Sequence, residues 1–143
     1  MRSDGVLRTI SAAYVRVGGS RKTVTTIKVR EGGTLKTVAQ FAPPISVSLS
    51  PASVFGLVNG TSAQFVNSDP ITAVVTGGQS PFTYAWTATG ATVGSPGMAS
   101  TRIGKVIPRD DSEVVPVSVI VTDAIGQTAN AGGTATLSNI DFS

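Results

Sequence analysis

The sequence predicts an all-β chain in which N-terminal β-hairpin repeats are followed by an immunoglobulin-like β-sandwich. Three observations predict it: a composition of strand and turn formers, a short repeat built around Gly-Gly pairs, and a downstream series of short alternating strands separated by turn signals. The 143 residues leave room for one sandwich of about 100 residues and a smaller attached element. Sixteen glycines, eight prolines and only 13% charged residues suit short strands and tight turns better than helices. A hydrophobic fraction of 41% suffices for a packed core and argues against a disordered chain.

The repeat aligns Val15-Arg16-Val17-Gly18-Gly19-Ser20-Arg21-Lys22-Thr23-Val24 with Val29-Arg30-Glu31-Gly32-Gly33-Thr34-Leu35-Lys36-Thr37-Val38, with Val, Arg, Gly, Gly, Lys, Thr and Val kept. Each copy reads as strand, turn, strand, because Gly18-Gly19 and Gly32-Gly33 can take the positive φ of a two-residue hairpin turn. An isolated hairpin is marginal in water, so two in series are expected to need each other, the sandwich or a partner subunit. Pro43-Pro44 ends the repeats, since proline lacks a ladder donor and holds the preceding residue extended. The expected domains are therefore 1–44, a basic region for docking and assembly, and 45–143, the sandwich.

From Ile45 onward strands are expected over Ile45 to Leu49, Val54 to Val58, Ala63 to Phe65, Thr72 to Thr76, Phe82 to Ala88, Thr101 to Val106, Val115 to Thr122 and Gly133 to Leu137. Turns are expected at 77–81, 94–97 and 123–126, each rich in residues that reverse a chain. Alternation puts Phe82, Tyr84 and Trp86 on one face and Val117, Val119 and Val121 on another, so these two strands should supply the centre of the core. The same three aromatics have the spacing of a sugar-stacking row, but in a central strand such spacing reads first as core.

Charge divides at the proline pair. Residues 1–44 carry Arg2, Arg8, Arg16, Arg21, Lys22, Lys28, Arg30 and Lys36 against Asp4 and Glu31, a net +6, whereas 45–143 is net −3. The asymmetry suggests two functional halves, one of which meets an acidic surface. Arg16, Arg21, Lys22, Lys28, Arg30 and Lys36 are the candidate docking residues. A second reading is that these charges keep exposed hairpin edges from pairing with other chains. Nucleic acid is disfavoured as the partner, because the repeats offer only Tyr14 as an aromatic, whereas single-strand binders interleave several.

No stretch has the roughly 18 to 20 apolar residues of a membrane span, and Met1-Arg2-Ser3-Asp4-Gly5-Val6 lacks the apolar core of a signal peptide. With no His and no Cys, the commonest nucleophile-base pairs and the usual zinc and haem ligand sets are missing, so no enzyme, metal or cofactor is expected. Asp110-Asp111 with Glu113 offers the residue types of a calcium site or an acid-base pair but reads as a solvated loop, lacking calcium-loop spacing. Asn59-Gly60-Thr61 matches a glycosylation acceptor, a pattern frequent by chance.

The segment Tyr14-Val15-Arg16-Val17-Gly18-Gly19 … Lys22-Thr23-Val24 and its second copy resemble the YVKVGGVWKTV repeats of small structural proteins of tailed bacteriophages, commonly associated with the tail tip or its fibres. Val74-Val75-Thr76-Gly77-Gly78 … Pro81-Phe82-Thr83-Tyr84-Ala85-Trp86 and Val119-Ile120-Val121-Thr122-Asp123-Ala124-Ile125-Gly126 are similar to bacterial and phage Ig-like or PKD-like domains. Arg21 and Leu35 stand where the repeat usually has an aromatic, and Glu31 interrupts a strand. The resemblance implies a virion tail component that docks to other tail proteins through its basic repeats and exposes its sandwich, with a host cell-surface polymer as a further partner. A homo-oligomer, a trimer above other rings, fits hairpins that need neighbours and the rotational symmetry of tail tips. A capsid decoration protein and a carbohydrate-binding or adhesive module of a cell-surface protein stay open as alternatives.

Overall fold

The computed structural model describes residues 13–24, 26–40 and 42–143, which are all-β, with no helix among them. The chain divides into two compact units, Met1–Pro43 and Pro44–Ser143, one residue before the expected boundary.

Among its described residues the first unit holds two antiparallel hairpins. β1 (Ala13–Val17) pairs with β2 (Ser20–Val24), and β3 (Thr26–Glu31) with β4 (Thr34–Gln40). Each closes on two glycines with φ of 58° and 83°, at Gly18-Gly19 and at Gly32-Gly33. Positive φ at both central residues is the type I′ turn, whose twist matches that of the flanking strands. The hairpins differ at one point. The first keeps a single register from Val17↔Ser20 to Ala13↔Val24, whereas the second shifts between Ile27 and Lys28, which pair with Ala39 and Thr37 and leave Val38 as a bulge.

The second unit is a two-layer sandwich. β5 (Ser46–Ser50) and β6 (Ser53–Asn59) flank a cis Ser50-Pro51 bond and lie in different sheets, β5 antiparallel to β8 (Ile71–Thr76) and β6 parallel to β14 (Thr128–Ile140). β7 (Gln64–Asn67) and β8 are successive stretches of one path. β11 (Ser100–Thr101) and β12 (Ile103–Ile107) form a second such path, pairing with β8 and β7 respectively. β10 (Thr92–Val93) sits at the edge of β12. One layer therefore runs β10, β11/β12, β7/β8, β5. The other runs β6, β14, β13 (Asp111–Thr122), β9 (Thr83–Ala88). This is the strand order of an immunoglobulin-like sandwich, with its first strand divided between the two sheets.

Alternation decides what enters the core. Val115, Val117, Val119 and Val121 of β13 are buried and face Ile71, Ala73, Ile103 and Ile107 from the other layer, with Val54, Val66, Trp86, Ala135 and Leu137 completing the cluster. Trp86 is 4% exposed. Tyr84 and Phe82 are half-buried against the same cluster, and Phe82 precedes β9 instead of opening it. Pairing also runs further than the expected strands: β13 begins at Asp111 and β14 covers thirteen residues, because Asp111, Ser112 and Glu113 find partners at Asn139, Ser138 and Leu137. The stretch from Asp111 to Glu113 is thus strand, correcting the solvated-loop expectation, and Asp110 alone stays in the turn, at φ 55°.

The layer margins are closed by specific bonds. On one side the Asp69 amide donates to Phe55 O (2.7 Å). On the other, Lys105 of β12 forms an ion pair with Glu113 of β13, and the Trp86 indole donates to Met98 O (2.7 Å). Buried Ser68 joins the paths β7/β8 and β11/β12 where each is interrupted: its amide donates to Ile103 O (2.8 Å) and its hydroxyl accepts from Ile103 N (3.0 Å). The chain enters the sandwich beside turns 77–81 and 123–127 and leaves it at the opposite end, beside 60–62 and 107–110.

Candidate functional site

The six basic docking candidates lie on the hairpin strands. Arg16 and Arg21 are cross-strand partners, Lys22 pairs with Val15, Lys28 with Thr37, Lys36 with Val29 and Arg30 with Leu35. Lys28 is exposed. The side chains of Arg16, Arg21, Lys22, Arg30 and Lys36, like the whole of Arg2 and Arg8, lie outside the described residues. Gly18, Gly19, Gly32 and Gly33 are exposed at the two turns.

On the sandwich the aromatic row does not form a binding surface, since Trp86 is buried and Phe82 and Tyr84 pack inward. Besides Phe142 in the last residues of the chain, two strand aromatics face outward. Phe55 of β6, 63% exposed, shares its face with Leu57 and, through Thr136, with Val114. Phe65 of β7, 52% exposed, pairs directly with Val106 of β12, 57% exposed.

Phe65 builds the better-defined feature. Its ring lies over Gly104, so closely that a β-carbon at 104 would overlap it. Phe65, Val106 and Gly104 line a groove of about 410 Å³ together with Gly90, Ala91, Thr92 and Lys105. Thr92 Oγ1 donates to Gly104 O (2.9 Å), and the exposed amide side chain of Asn67 lies beside Gly104. Lys105 brings a cation, but Glu113 accepts from it, so the groove carries little net field. Sequence reasoning missed Phe65 because Phe65 and Val66 are adjacent apolar residues, and a two-residue period cannot say which one faces in. Gly104 inside a strand was the signal that another group approaches the backbone there.

Asp123, Asp110 and Asp141 brace the two ends of the sandwich. Asp123, buried, accepts from the amides of Gln79 (3.0 Å), Ile125 (3.1 Å) and Gln127 (2.7 Å) and from Gln127 Nε2 (3.0 Å), tying two turns at one end of the sandwich. Burial opposes its charge, but the donors of Gln127, Gln79 and Ile125 outweigh burial and hold the carboxyl below its ordinary value. At the other end Arg109 pairs with Asp110 (3.3 Å) and Asp141 (2.5 Å). The Ser143 hydroxyl and amide hold the Asp141 carboxyl below its usual range, against burial. Asn139 Nδ2, fully buried, lies within hydrogen-bond distance of the carbonyls of Ser62 (2.8 Å), Ile107 (3.1 Å) and Pro108 (3.1 Å). Among the described residues no three His, Cys, Asp or Glu side chains converge as metal ligands, and no helix is long and apolar enough to cross a membrane.

Compared with protein-family models, with curated proteins and with solved structures, the chain matches none.

Proposed function

We propose that the chain is a non-enzymatic structural virion protein of a tailed phage, part of the tail tip or a tail fibre. Its basic hairpin unit docks to other tail proteins, and its sandwich is exposed for weak attachment to the host surface. The observation that carries this reading is the pair of consecutive hairpins, each closed by the same Gly-Gly turn, in a region of net +6 joined to an immunoglobulin-like sandwich. Two-stranded hairpins have too little face of their own to be stable alone, so their natural use is against a neighbour. Their cationic sequence selects an acidic one and speeds the encounter. A ring of copies, a trimer first among them, supplies such neighbours by symmetry.

A cell-surface adhesive module is the second reading, favoured by the Phe65 groove. Mass spectrometry of purified particles, and of tails freed from heads, separates the two. The tail reading expects the chain in both fractions at a fixed ratio to the other tail proteins. Its absence from particles, with recovery from the cell envelope, contradicts that reading, and recovery with heads alone makes it a decoration protein.

A further inference from the structure

We propose that the groove over Gly104 binds a neutral hexopyranose unit of a surface polysaccharide, with Phe65 as the stacking platform. The inference rests on the reading of the sandwich as a weak surface-attachment module and names the site and ligand class.

The argument starts from the ring. An exposed phenylalanine on a sheet usually has rotamer freedom, and ordering it on a ligand costs binding energy. Here Gly104 removes the side chain that would stand beside Phe65, and the ring's Cζ and Cε1 settle against bare backbone while the residue stays half-exposed. Such a surface is flat, apolar and preorganised. The C–H face of a pyranose is also flat and apolar, while its hydroxyls lie around the rim. The groove matches both parts, since Val106 extends the apolar lining and Thr92 brings a polar group to it, with the exposed Asn67 side chain beside Gly104. Thr92 has spent its proton on Gly104 O and keeps lone pairs to accept from a hydroxyl. β10 is an edge of its sheet, so backbone groups of the 90–92 segment add to this rim.

Charge selects the neutral ligand. Lys105, the cation of the groove, is bound to Glu113 across the layer margin, so an anionic polymer gains little there. At about 410 Å³ the groove lies near the lower end of small-molecule sites, roughly 300–1,000 Å³, suited to a sugar ring and part of the next. With a single aromatic platform the expected Kd is on the order of 1 mM, and avidity among copies would strengthen it.

The test is an amide-resolved NMR titration of the full chain with maltohexaose, cellohexaose and chitohexaose, carried well above a millimolar. At least one of them is expected to shift the amides of Phe65, Thr92, Gly104 and Val106, independently of salt. Phe65→Ala, at a half-exposed position that need not disturb the core, should weaken binding by roughly tenfold. Phe65→Trp should preserve it, and Phe55→Ala should leave it unchanged. No groove shift with any of the three sugars, shifts confined to the Phe55 face, or undiminished binding by Phe65→Ala overturns the proposal. So does binding seen only with polygalacturonate and abolished by salt. A silent groove in a chain that is found on tails removes the sugar site and leaves the tail assignment standing.

Discussion

Asp123 shows how one residue holds an end of the sandwich. Its carboxylate gathers the amides of Gln79, Ile125 and Gln127, and its folded-state pKa lies below the ordinary value. Because the folded pKa is the lower one, its stabilisation is present above the unfolded pKa and lost as pH falls through the folded pKa. Urea midpoints should therefore be level from neutral pH to about 5 and fall below about 4. Asp123→Asn should lower the neutral-pH midpoint and flatten part of the acid fall; an unchanged acid limb would place the titrating group elsewhere, Asp141 being next. Trp86 gives a second residue-scale expectation. Trp86→Phe keeps most of the apolar contact but leaves Met98 O without its 2.7 Å donor, so urea unfolding should show a loss on the order of 1–3 kcal/mol. The inward set Val117, Val119 and Val121 was legible because strict alternation with Pro116, Ser118 and Ile120 leaves one choice of face. Phe65 was not, because its neighbour Val66 is equally apolar and buries instead.

At the scale of elements, the Gly-Gly turns were readable from chemistry, since few residues other than glycine accept positive φ twice in succession. Gly18 at φ 58° and Gly19 at φ 83° make different demands. Asparagine tolerates the first position of a type I′ turn, and glycine is strongly preferred at the second. Gly18→Asn should leave amide-exchange protection across Ala13–Val24 intact, whereas Gly19→Ala should cost about 1 kcal/mol and reduce it visibly in so small an element. Equal protection in both variants would exclude the I′ turn in solution. The lengths of β13 and β14 were harder to read. Asp111, Ser112 and Glu113 look like loop until each is seen opposite a β14 residue, with Glu113 answered by Lys105. Seven of the thirteen β14 residues are Ala, Gly or Asn, whose weak strand preference is overridden by neighbours on both sides, β13 and β6. β10, two residues long, carries no periodic signal at all.

For the whole molecule, composition and the spacing of turn signals were enough for the all-β class, because a chain with this much Gly, Thr and Val and this little charge has few other ways to form a core. The crossing of the first sandwich strand between sheets, by contrast, is a tertiary fact: β5 and β6 are separated by two residues and yet pair with β8 and β14. The proposed assembly gives an expectation at this scale. Sedimentation of the full chain should show an oligomer, a trimer first, and a chain starting at Pro44 should sediment as a monomer; a monomeric full chain with fully protected hairpin amides would remove the reason for assembly. We propose that this chain belongs to a phage tail with its sandwich outward. Immunogold labelling of intact particles from the source culture, with antibody raised against residues 44–143, tests it most directly. Gold at the tail end of each particle is the expected result, and gold over the head, or none on any particle, would overturn the tail assignment.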